Sequence, residues 1–287
     1  MGQITVAALQ LALNRADEAE NIAAVEDMVV RAAGQGAQIV LPPELFDGPY
    51  FCKIEDEALF ARACPAGEHP SVRAMARLAK RLGVAIPASF FERDGQHYYN
   101  SLAMIGPGGD VQGIYRKSHI PDGPGYEEKF YFRPGNTGFK VWDVCGTRIG
   151  VGVCWDQWYP EAARAMALMG AQLLFYPTAI GSEPYDAEFD TSAMWQRAMQ
   201  GHAVSNCMPV IAANRIGIED GQSFYGHSFI TNEWGDKLVE FGPENDGHDE
   251  GVLVATLDLD LAAKHRAGMG FFRDRRPELY GRLCEDL

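Results

Sequence analysis

Cys154 is a potential nucleophile in a distinctive position, between an apolar segment and a proline that can start a helix. Residues 148–154 predict a strand, and Pro160 follows after a short turn. A nucleophile between a strand and a helix can project from the edge of a sheet, and backbone N–H groups of the turn, here that of Trp155, can face a developing oxyanion. A cysteine after an apolar strand is, on its own, more often a small core residue. Its chemistry therefore depends on its partners.

A thiol at Cys154 needs a neighbouring group before it can act as a nucleophile. The pKa of a free cysteine is about 8.5, so the side chain requires a base that takes its proton or a cation that stabilises the thiolate. No histidine lies within the Cys154 turn, but Glu44 follows a predicted buried strand and Lys117 lies at the end of another. Taken alone, each of these two residues is more often an exposed loop charge than a catalytic group. Only their convergence on Cys154 would give them a catalytic meaning.

The elements that must position these three residues alternate between strand-like and helix-like patterns. Strands are predicted at 4–13, 37–41, 84–91, 99–105, 111–115, 148–154, 172–176, 210–213, 228–231 and 252–257, and helices at 22–33, 70–82, 161–169 and 191–206. Pro70 and Gly83 are typical start and stop residues of the second helix. This alternation predicts an α/β fold. Since no linker or low-complexity segment interrupts it, we expect a single domain over residues 1–287.

The segment from 117 to 140 contains no clear periodicity and is rich in glycine, proline and aromatic residues. Loops of this length inside compact domains are usually functional or disordered. The aromatic residues argue against disorder; they are Tyr126, Phe130, Tyr131 and Phe132. This loop directly follows Lys117 and is therefore a candidate wall of the site.

The composition narrows the classes of partner. The net charge of −14 repels nucleic acid and anionic lipid and favours a cationic small molecule, although an acidic surface is also a common means of staying soluble. The sequence lacks a long apolar stretch, and its first residues lack a basic segment followed by an apolar one, so we expect no membrane partner and a cytoplasmic location. Neither CxxC pairs nor HExxH occur, and we expect no metal and no cofactor.

Three segments around the candidate residues resemble the signature blocks of the nitrilase superfamily, in the same order and with similar spacing. The resemblance extends from about Ile4 to Tyr280. It implies a four-layer αββα sandwich, in which two sheets face each other and helices cover both outer faces. The three segments are Pro43-Glu44-Leu45-Phe46, Tyr115-Arg116-Lys117-Ser118-His119 and Gly152-Val153-Cys154-Trp155-Asp156.

The resemblance also implies a role for each residue. Glu44 is expected to act as the general base that activates Cys154, and Cys154 is expected to attack a carbonyl carbon. Lys117 and the Trp155 N–H are expected to stabilise the resulting oxyanion. Glu128 resembles a second glutamate of many members, which would position Lys117 or the substrate, although spacing alone does not distinguish it from the adjacent Glu127. A lysine held between carboxylates stays protonated.

Within the superfamily, residues 45–52, 116–132, 154–158 and 176–184 resemble the branch that hydrolyses N-carbamoylputrescine to putrescine, carbon dioxide and ammonia, a step in putrescine biosynthesis from agmatine. This implies a substrate with a neutral carbamoyl group, an apolar chain and a distal ammonium. We expect Glu183 to bind the ammonium, and Tyr126 and Trp155 to line the chain. Three further acidic residues follow Glu183, and no arginine or lysine lies between 164 and 197. The three are Asp186, Glu188 and Asp190.

Other functions remain open at this point. A β-ureidopropionase or another carbamoyl-amino-acid amidohydrolase would share the catalytic residues but would need a basic pocket residue for the substrate carboxylate. A nitrilase-like scaffold protein would not turn over substrate, and a glutaminase module would normally accompany a synthetase domain. Members of the superfamily are generally dimers or larger. Because Phe271 and Phe272 would form an apolar patch if exposed, we expect a homodimer or a larger homo-oligomer.

Overall fold

The computed structural model of the chain describes residues 2–186, 189–242 and 249–285. Within these ranges, no helix is both long enough and apolar enough to cross a membrane. The strands are β1 (Gln3–Gln10), β2 (Ile39–Leu41), β3 (Ile86–Asp94), β4 (His97–Ile105), β5 (Val111–Arg116), β6 (Val141–Val144), β7 (Thr147–Val151), β8 (Leu173–Thr178), β9 (Val210–Asn214), β10 (Ile216–Glu219), β11 (Gln222–Tyr225), β12 (Phe229–Thr231), β13 (Lys237–Glu240) and β14 (Gly251–Asp258). The helices are α1 (Glu18–Gly34), α2 (Pro70–Leu82), α3 (Glu128–Tyr131), α4 (Pro160–Leu168), α5 (Ser192–Asn206) and α6 (Leu259–Met269).

The first sheet combines the N-terminal strands with the last one. Strand β1 pairs antiparallel with β14 and parallel with β2, while β3, β4 and β5 form an antiparallel meander. Backbone hydrogen bonds of Ala85 to Gln38 (2.8 Å) and to Val40 (3.0 Å) join the two groups of strands into one layer. Two strands of this layer end just before candidate residues: β2 ends before Glu44, and β5 ends before Lys117.

The second sheet has the order β13-β12-β9-β8-β7-β6. Its central strands β7, β8 and β9 are parallel, and parallel neighbours need a crossover connection. Helix α4 provides the crossover from β7 to β8, and helix α5 provides the one from β8 to β9. The link from β7 to α4 contains Cys154, so this crossover places the cysteine at the carboxyl edge of the second sheet.

The two sheets face each other and helices cover both outer faces. Along β1, Val6 lies in the core between the sheets with Phe175 of β8, whereas the next residue, Ala7, packs on the outside with Val25 of α1. This alternation follows from the two-residue period of a strand. Helix α2 packs with α1 in the core outside the first sheet. Helices α4 and α5 pack in the core outside the second sheet, which contains Met166. The α/β class and the αββα sandwich are therefore confirmed.

Helix α1 begins earlier in the chain than the sequence pattern predicted. Its apolar pattern begins at Ile22, but the helix begins at Glu18 because the Asp17 side chain accepts a hydrogen bond from the Glu20 N–H and caps the first turn. The N-terminal cap is polar and exposed, so the apolar periodicity does not include it.

Candidate active site

The structure brings the four predicted catalytic side chains together between the sheets. Lys117 Nζ lies 3.0 Å from Glu44 Oε1 and 2.7 Å from Glu128 Oε2. All three of these residues are fully buried, and Cys154 is 5% exposed. Charged side chains are almost never buried unless they are paired. Glu44 and Glu128 therefore hold the Lys117 ammonium between two carboxylates, and the Cys154 thiol lies beside this group.

The Lys117 ammonium is held in its charged form by its neighbours. Burial by itself lowers the pKa of Lys117, but the charges of Glu128 and Glu44 outweigh burial and raise this pKa well above its usual value. A buried cation in a low-dielectric site interacts strongly with developing negative charge. Lys117 can therefore supply a permanent positive charge to an oxyanion.

The two oxygens of Glu44 differ in their contacts. Oε1 accepts hydrogen bonds from Lys117 and from the Asn100 side-chain amide, at 2.6 Å from the latter. Oε2 is buried and has no hydrogen-bond partner among the described residues. A buried acceptor without a partner is costly, and at a reactive site it is a natural place to receive a proton. Asn100 was not singled out from the sequence, where a lone asparagine on a strand gives no signal.

Cys154 adopts an unusual backbone conformation. The sequence predicted that a strand ends at this residue, but β7 already ends at Val151 and Cys154 begins a 3₁₀ helix, Cys154–Trp158. Its φ of 44° lies in the left-handed region, where a residue other than glycine costs about 1–3 kcal/mol. Asp156 supports the turn by accepting a hydrogen bond from the Val153 N–H at 2.9 Å. The N–H of Trp155 lies in the first helical turn, where backbone donors have no acceptor within the helix.

The surroundings of the Cys154 thiol disfavour its ionised form. Burial raises its pKa well above the usual value, the charges of Glu44 and Glu128 raise it further, and Lys117 opposes them only in part. A free thiolate would add a second net negative charge to a buried group that already contains one. If the proton moves to Glu44, the total charge of the group does not change. The arrangement therefore favours activation by a base over a preformed thiolate.

No histidine serves as that base in the described part of the chain. In that part of the chain, the Cys154 thiol interacts with the charges of Glu44, Lys117 and Glu128, and it lies 3.9 Å from the Ala179 carbonyl oxygen. The histidine of the Lys117 segment, His119, is bound elsewhere: its Nδ1 lies 2.7 Å from Asp156 Oδ1.

The structure distinguishes the two adjacent glutamates of the long loop. Glu128, at the start of α3, is buried and binds Lys117, while Glu127 is half-buried and has no contact with Lys117. Glu128 Oε1 also accepts a hydrogen bond of 2.6 Å from the Tyr50 hydroxyl. Tyr50 is a further residue that the sequence gave no reason to select, since a tyrosine in an aromatic-rich segment usually belongs to the core.

A cavity of about 240 Å³ opens beside Cys154. Its walls combine aromatic and apolar groups with two carboxylates, those of Asp122 and Glu183. Among the lining residues in the described ranges there is no lysine, arginine or histidine. The lining residues are Pro121, Asp122, Gly123, Pro124, Tyr126, Cys154, Trp155, Ala179, Ile180, Glu183 and Tyr185. All three predicted substrate-binding residues, Tyr126, Trp155 and Glu183, thus lie in the same cavity as the thiol.

The loop that contains Glu183 is fixed by Tyr126. The Tyr126 hydroxyl accepts a hydrogen bond from the Gly181 N–H at 3.0 Å and donates one to the Ser182 carbonyl at 3.3 Å. Partial burial raises the pKa of Glu183, and a hydrogen bond from Tyr185 opposes this rise. A cation in the cavity could therefore pair with the partly desolvated Glu183 carboxylate, on a loop whose position the Tyr126 hydrogen bonds fix.

The other acidic residues of this loop are less suited to bind a ligand. Asp190 accepts a hydrogen bond of 2.8 Å from the Ser192 N–H at the start of α5. Asp186 does not line the cavity, and Glu188 lies outside the described residues. Asp122, which the sequence did not indicate, lines the cavity and lies 3.7 Å from Lys129.

Comparison with known proteins supports the same type of chemistry. The sequence matches the carbon-nitrogen hydrolase family over residues 5–267. It is 52% identical to N-carbamoylputrescine amidase of Arabidopsis thaliana, over 97% of this chain and 94% of that protein, and 50% identical to a citrullinase of Francisella tularensis, over 99% of each. A crystal structure of a carbon-nitrogen hydrolase from Helicobacter pylori G27 is similar over 99% of both chains, with 34% identity and a TM-score of 0.92.

Proposed function

Because this chain belongs to the carbon-nitrogen hydrolase family, the nitrilase superfamily, we propose that it hydrolyses N-carbamoylputrescine to putrescine, carbon dioxide and ammonia. The main support is the cavity itself: the Cys154 thiol and the Glu183 carboxylate line it together, with no cationic side chain among its described walls. Relatives at about half identity include N-carbamoylputrescine amidases of several plants.

The proposed reaction starts with proton transfer from Cys154 to the free oxygen of Glu44. The sulfur attacks the carbamoyl carbon, a C–S bond forms, and the electron pair of the C=O bond moves to the oxygen. Lys117 and the Trp155 N–H stabilise this oxyanion, while Glu128 keeps Lys117 in place. Preorganised donors of this kind act where charge develops and need no reorganisation.

Collapse of the tetrahedral intermediate restores the C=O bond and breaks one of the two C–N bonds. Glu44 returns its proton to the departing nitrogen, so that a neutral amine or ammonia leaves. A water molecule then gives a proton to Glu44 and attacks the remaining thioester-like carbon. The C–S bond breaks, and Glu44 passes that proton to the departing sulfur, which regenerates the Cys154 thiol and the ionised base. The released carbamic acid decomposes to carbon dioxide and the second nitrogen product. The same base thus serves both half-reactions.

The proposed substrate matches the walls of the cavity. We assign Tyr126 and Trp155, which line the cavity, to the apolar chain, and Glu183 to the distal ammonium, which needs a charged partner when it leaves water. Citrulline contains the same carbamoyl group but also a carboxylate, as does carbamoyl-β-alanine. A carboxylate in this cavity would lie near Asp122 and Glu183 and would find no cation among the described lining residues. We therefore favour the carbamoyl amine over both amino acids.

The experiment that tests the substrate is a Glu183→Gln variant assayed on two compounds. N-carbamoylputrescine has the distal ammonium, and N-pentylurea is a neutral compound of similar length. Removing one partner of a buried charge pair costs about 2–5 kcal/mol, so kcat/KM for N-carbamoylputrescine should fall about 30-fold or more, while that for N-pentylurea changes little. Asp122→Asn serves as the control for the second carboxylate and should have the smaller effect.

An unchanged ratio of the two kcat/KM values in Glu183→Gln would reject Glu183 as the ammonium site. A wild-type preference for citrulline, the substrate indicated by the name of the Francisella relative, would reject the substrate itself.

We further propose a cytoplasmic enzyme of putrescine biosynthesis that works as a homodimer or a larger homo-oligomer. All six cysteines have free thiols, which suits a reducing compartment. The product of the proposed reaction is the diamine putrescine, which supports the place in the pathway.

A further inference from the structure

We propose that Arg215 is a positioning residue of this reaction, because its buried guanidinium holds the turn that contains Glu44 and, through Glu219 and Tyr50, also holds Glu128. The inference rests on the proposed function, in which Glu44 is the base and Glu128 keeps Lys117 in place. Arg215 lies after β9, is fully buried, and does not line the cavity.

The first link is to the backbone of the base. Arg215 Nη2 donates to the carbonyl oxygens of Glu44 (2.7 Å) and Leu45 (2.9 Å), and Nη1 donates to that of Gly48 (3.0 Å). Leu45 has a φ of 45°, a left-handed conformation that L-residues rarely adopt and that persists only where the surroundings fix it. The guanidinium satisfies both carbonyls at this bend, and the bend determines where the Glu44 side chain points.

The second link runs to the other carboxylate. Arg215 Nη1 lies 3.0 Å from Glu219 Oε1, and Glu219 Oε2 accepts a hydrogen bond of 2.5 Å from the Tyr50 N–H. The Tyr50 hydroxyl in turn donates to Glu128 Oε1 at 2.6 Å. Both carboxylates that enclose Lys117 are thus connected to one buried ion pair, Glu44 through its own carbonyl and Glu128 through Tyr50.

These hydrogen bonds require an arginine at position 215 and not simply a positive charge. Four acceptor oxygens surround the two terminal nitrogens of Arg215, and a planar guanidinium offers its donors in a rigid fork. Lysine has one nitrogen on a flexible stem and cannot bind the carbonyls of Glu44 and Gly48 together with Glu219. Arg215→Lys should therefore retain the charge and loosen the geometry.

The test compares Arg215→Lys with a matched control, Arg266→Lys. Arg266 also donates to backbone carbonyls, those of Asn206, Cys207 and Ala171, but it does not line the cavity and contacts none of the catalytic residues. Both variants lose an arginine that binds several carbonyls, so both should lower the thermal midpoint. Only a displaced Glu44 should change the chemistry at Cys154.

Two measurements are made on each variant. The first gives kcat and KM for N-carbamoylputrescine. The second gives the rate at which iodoacetamide alkylates Cys154 at several pH values, monitored by mass spectrometry of the peptide that contains Cys154. In Arg215→Lys we expect kcat to fall about 10²-fold, the size of effect that a 1 Å misplacement can produce, with little change in KM. Alkylation at neutral pH should slow, and its rise should shift to higher pH. Arg266→Lys should keep the wild-type kcat and alkylation profile.

Wild-type kcat and alkylation in Arg215→Lys would overturn the inference, and so would an equal loss in Arg266→Lys. If Arg215→Lys does not fold, the double variant Arg215→Met/Glu219→Gln removes both charges together and leaves no unpaired buried charge; the same loss of alkylation is expected there. Alkylation requires no substrate. If the wild-type protein fails to hydrolyse N-carbamoylputrescine, the proposed function fails, while the alkylation comparison still decides the role of Arg215.

Discussion

Glu44 has one carboxylate oxygen that binds Lys117 and Asn100 and another that is buried and has no hydrogen bond within the part of the chain that the structure describes. This difference suits a base that must stay in place while it receives a proton. Since burial raises the pKa of the Cys154 thiol well above its usual value, the thiol depends on such a base. The proposed mechanism therefore makes a clear claim about how Cys154 reacts with an alkylating agent as pH changes.

Replacing Glu44 by glutamine should slow the alkylation of Cys154 at neutral pH. Loss of the Glu44 charge removes one cause that raises the pKa of Cys154, but burial is the largest cause and remains. The thiolate should then form only as the pH rises into the alkaline range, so the rate should increase steadily with pH. Iodoacetamide labelling measured by mass spectrometry checks this. Glu127→Gln, next to Glu128, is the control and should behave as wild type; equal rates in Glu44→Gln and wild type would exclude Glu44 as the base.

Replacing Lys117 by methionine should reduce kcat by about 10²- to 10³-fold, the usual cost of losing one oxyanion donor. The change also leaves the carboxylates of Glu44 and Glu128 without their cation, which costs about 3–5 kcal/mol of stability in buried pairs. Circular dichroism at the assay temperature must therefore show a folded protein before kcat is compared. Lys129→Met, at an exposed position of the same loop, is the control. A kcat near the wild-type value in folded Lys117→Met would contradict the assigned role.

The sequence could predict which side chains meet at the candidate site but not which residues hold them in place. Glu44, Lys117 and Cys154 belong to short recognisable segments, and the structure brings these three side chains together. Asn100 and Arg215 lie alone on or beside apolar strands, and their function depends on contacts with distant parts of the chain. No spacing rule can reveal such contacts, because they form only after the strands have paired.

At the level of elements, residues with a fixed local conformation gave the best predictions. Pro70 and Gly83 mark the ends of α2, and Gly83 has a positive φ of 70°. The turn at Asp94 and Gly95 joins β3 to β4 as expected. The hairpin of β10 and β11 was not predicted, although its turn contains Asp220 and Gly221, a typical hairpin pair.

Helix α6 was also not predicted. Only two of its residues are buried, Leu259 and Ala262, so it has no apolar stripe for periodicity to detect. Its ends nevertheless contain ordinary signals: the Asp258 side chain accepts a hydrogen bond from the Leu261 N–H, and Gly270 follows the helix in a left-handed conformation. Capping residues would have revealed a helix that hydrophobicity does not.

One glycine links the long loop to the strand that precedes Lys117. The Gly135 N–H donates to the Lys117 carbonyl at 2.8 Å, and a Cβ at this position would lie 2.0 Å from the Arg116 carbonyl oxygen. Gly135→Ala should push the end of β5 aside and lower kcat by up to about 10²-fold.

The control variant is Gly201→Ala in α5, where a Cβ meets nothing within 4 Å. This change should instead raise the free energy of unfolding by about 0.5–1 kcal/mol. Steady-state kinetics and thermal unfolding check both; unchanged kcat in Gly135→Ala would mean that the loop does not support Lys117.

At the level of the whole molecule, the C-terminal segment leaves apolar surface exposed. Phe272 packs against Arg164, with the guanidinium 4.8 Å from the ring centroid, so half of the expected aromatic patch is covered within the chain. Phe271 is 37% exposed, Leu279 64% and Leu283 67%. These three exposed apolar residues belong to one C-terminal segment, and exposed apolar patches often mark a protein interface.

We therefore expect light scattering to give a mass of at least two chains at micromolar concentration. Leu283→Glu should lower the average mass, because it places a charge in the proposed interface. Ile218→Glu changes a residue of equal exposure, 67%, on the β10 hairpin, and should leave the mass unchanged. A monomeric mass for the wild-type protein would refute the assembly.

In the proposed function, the protein uses Cys154 to hydrolyse a carbamoyl amine and not a carbamoyl amino acid. The most direct test measures ammonia release, as kcat/KM, from N-carbamoylputrescine, citrulline and carbamoyl-β-alanine, with wild-type protein and with Cys154→Ala. The acidic cavity predicts the highest value for N-carbamoylputrescine, by about tenfold or more for a single unfavourable charge contact worth about 1.4 kcal/mol, and no turnover of any compound by Cys154→Ala. Equal or faster hydrolysis of citrulline or carbamoyl-β-alanine, or substantial turnover by Cys154→Ala, would contradict it.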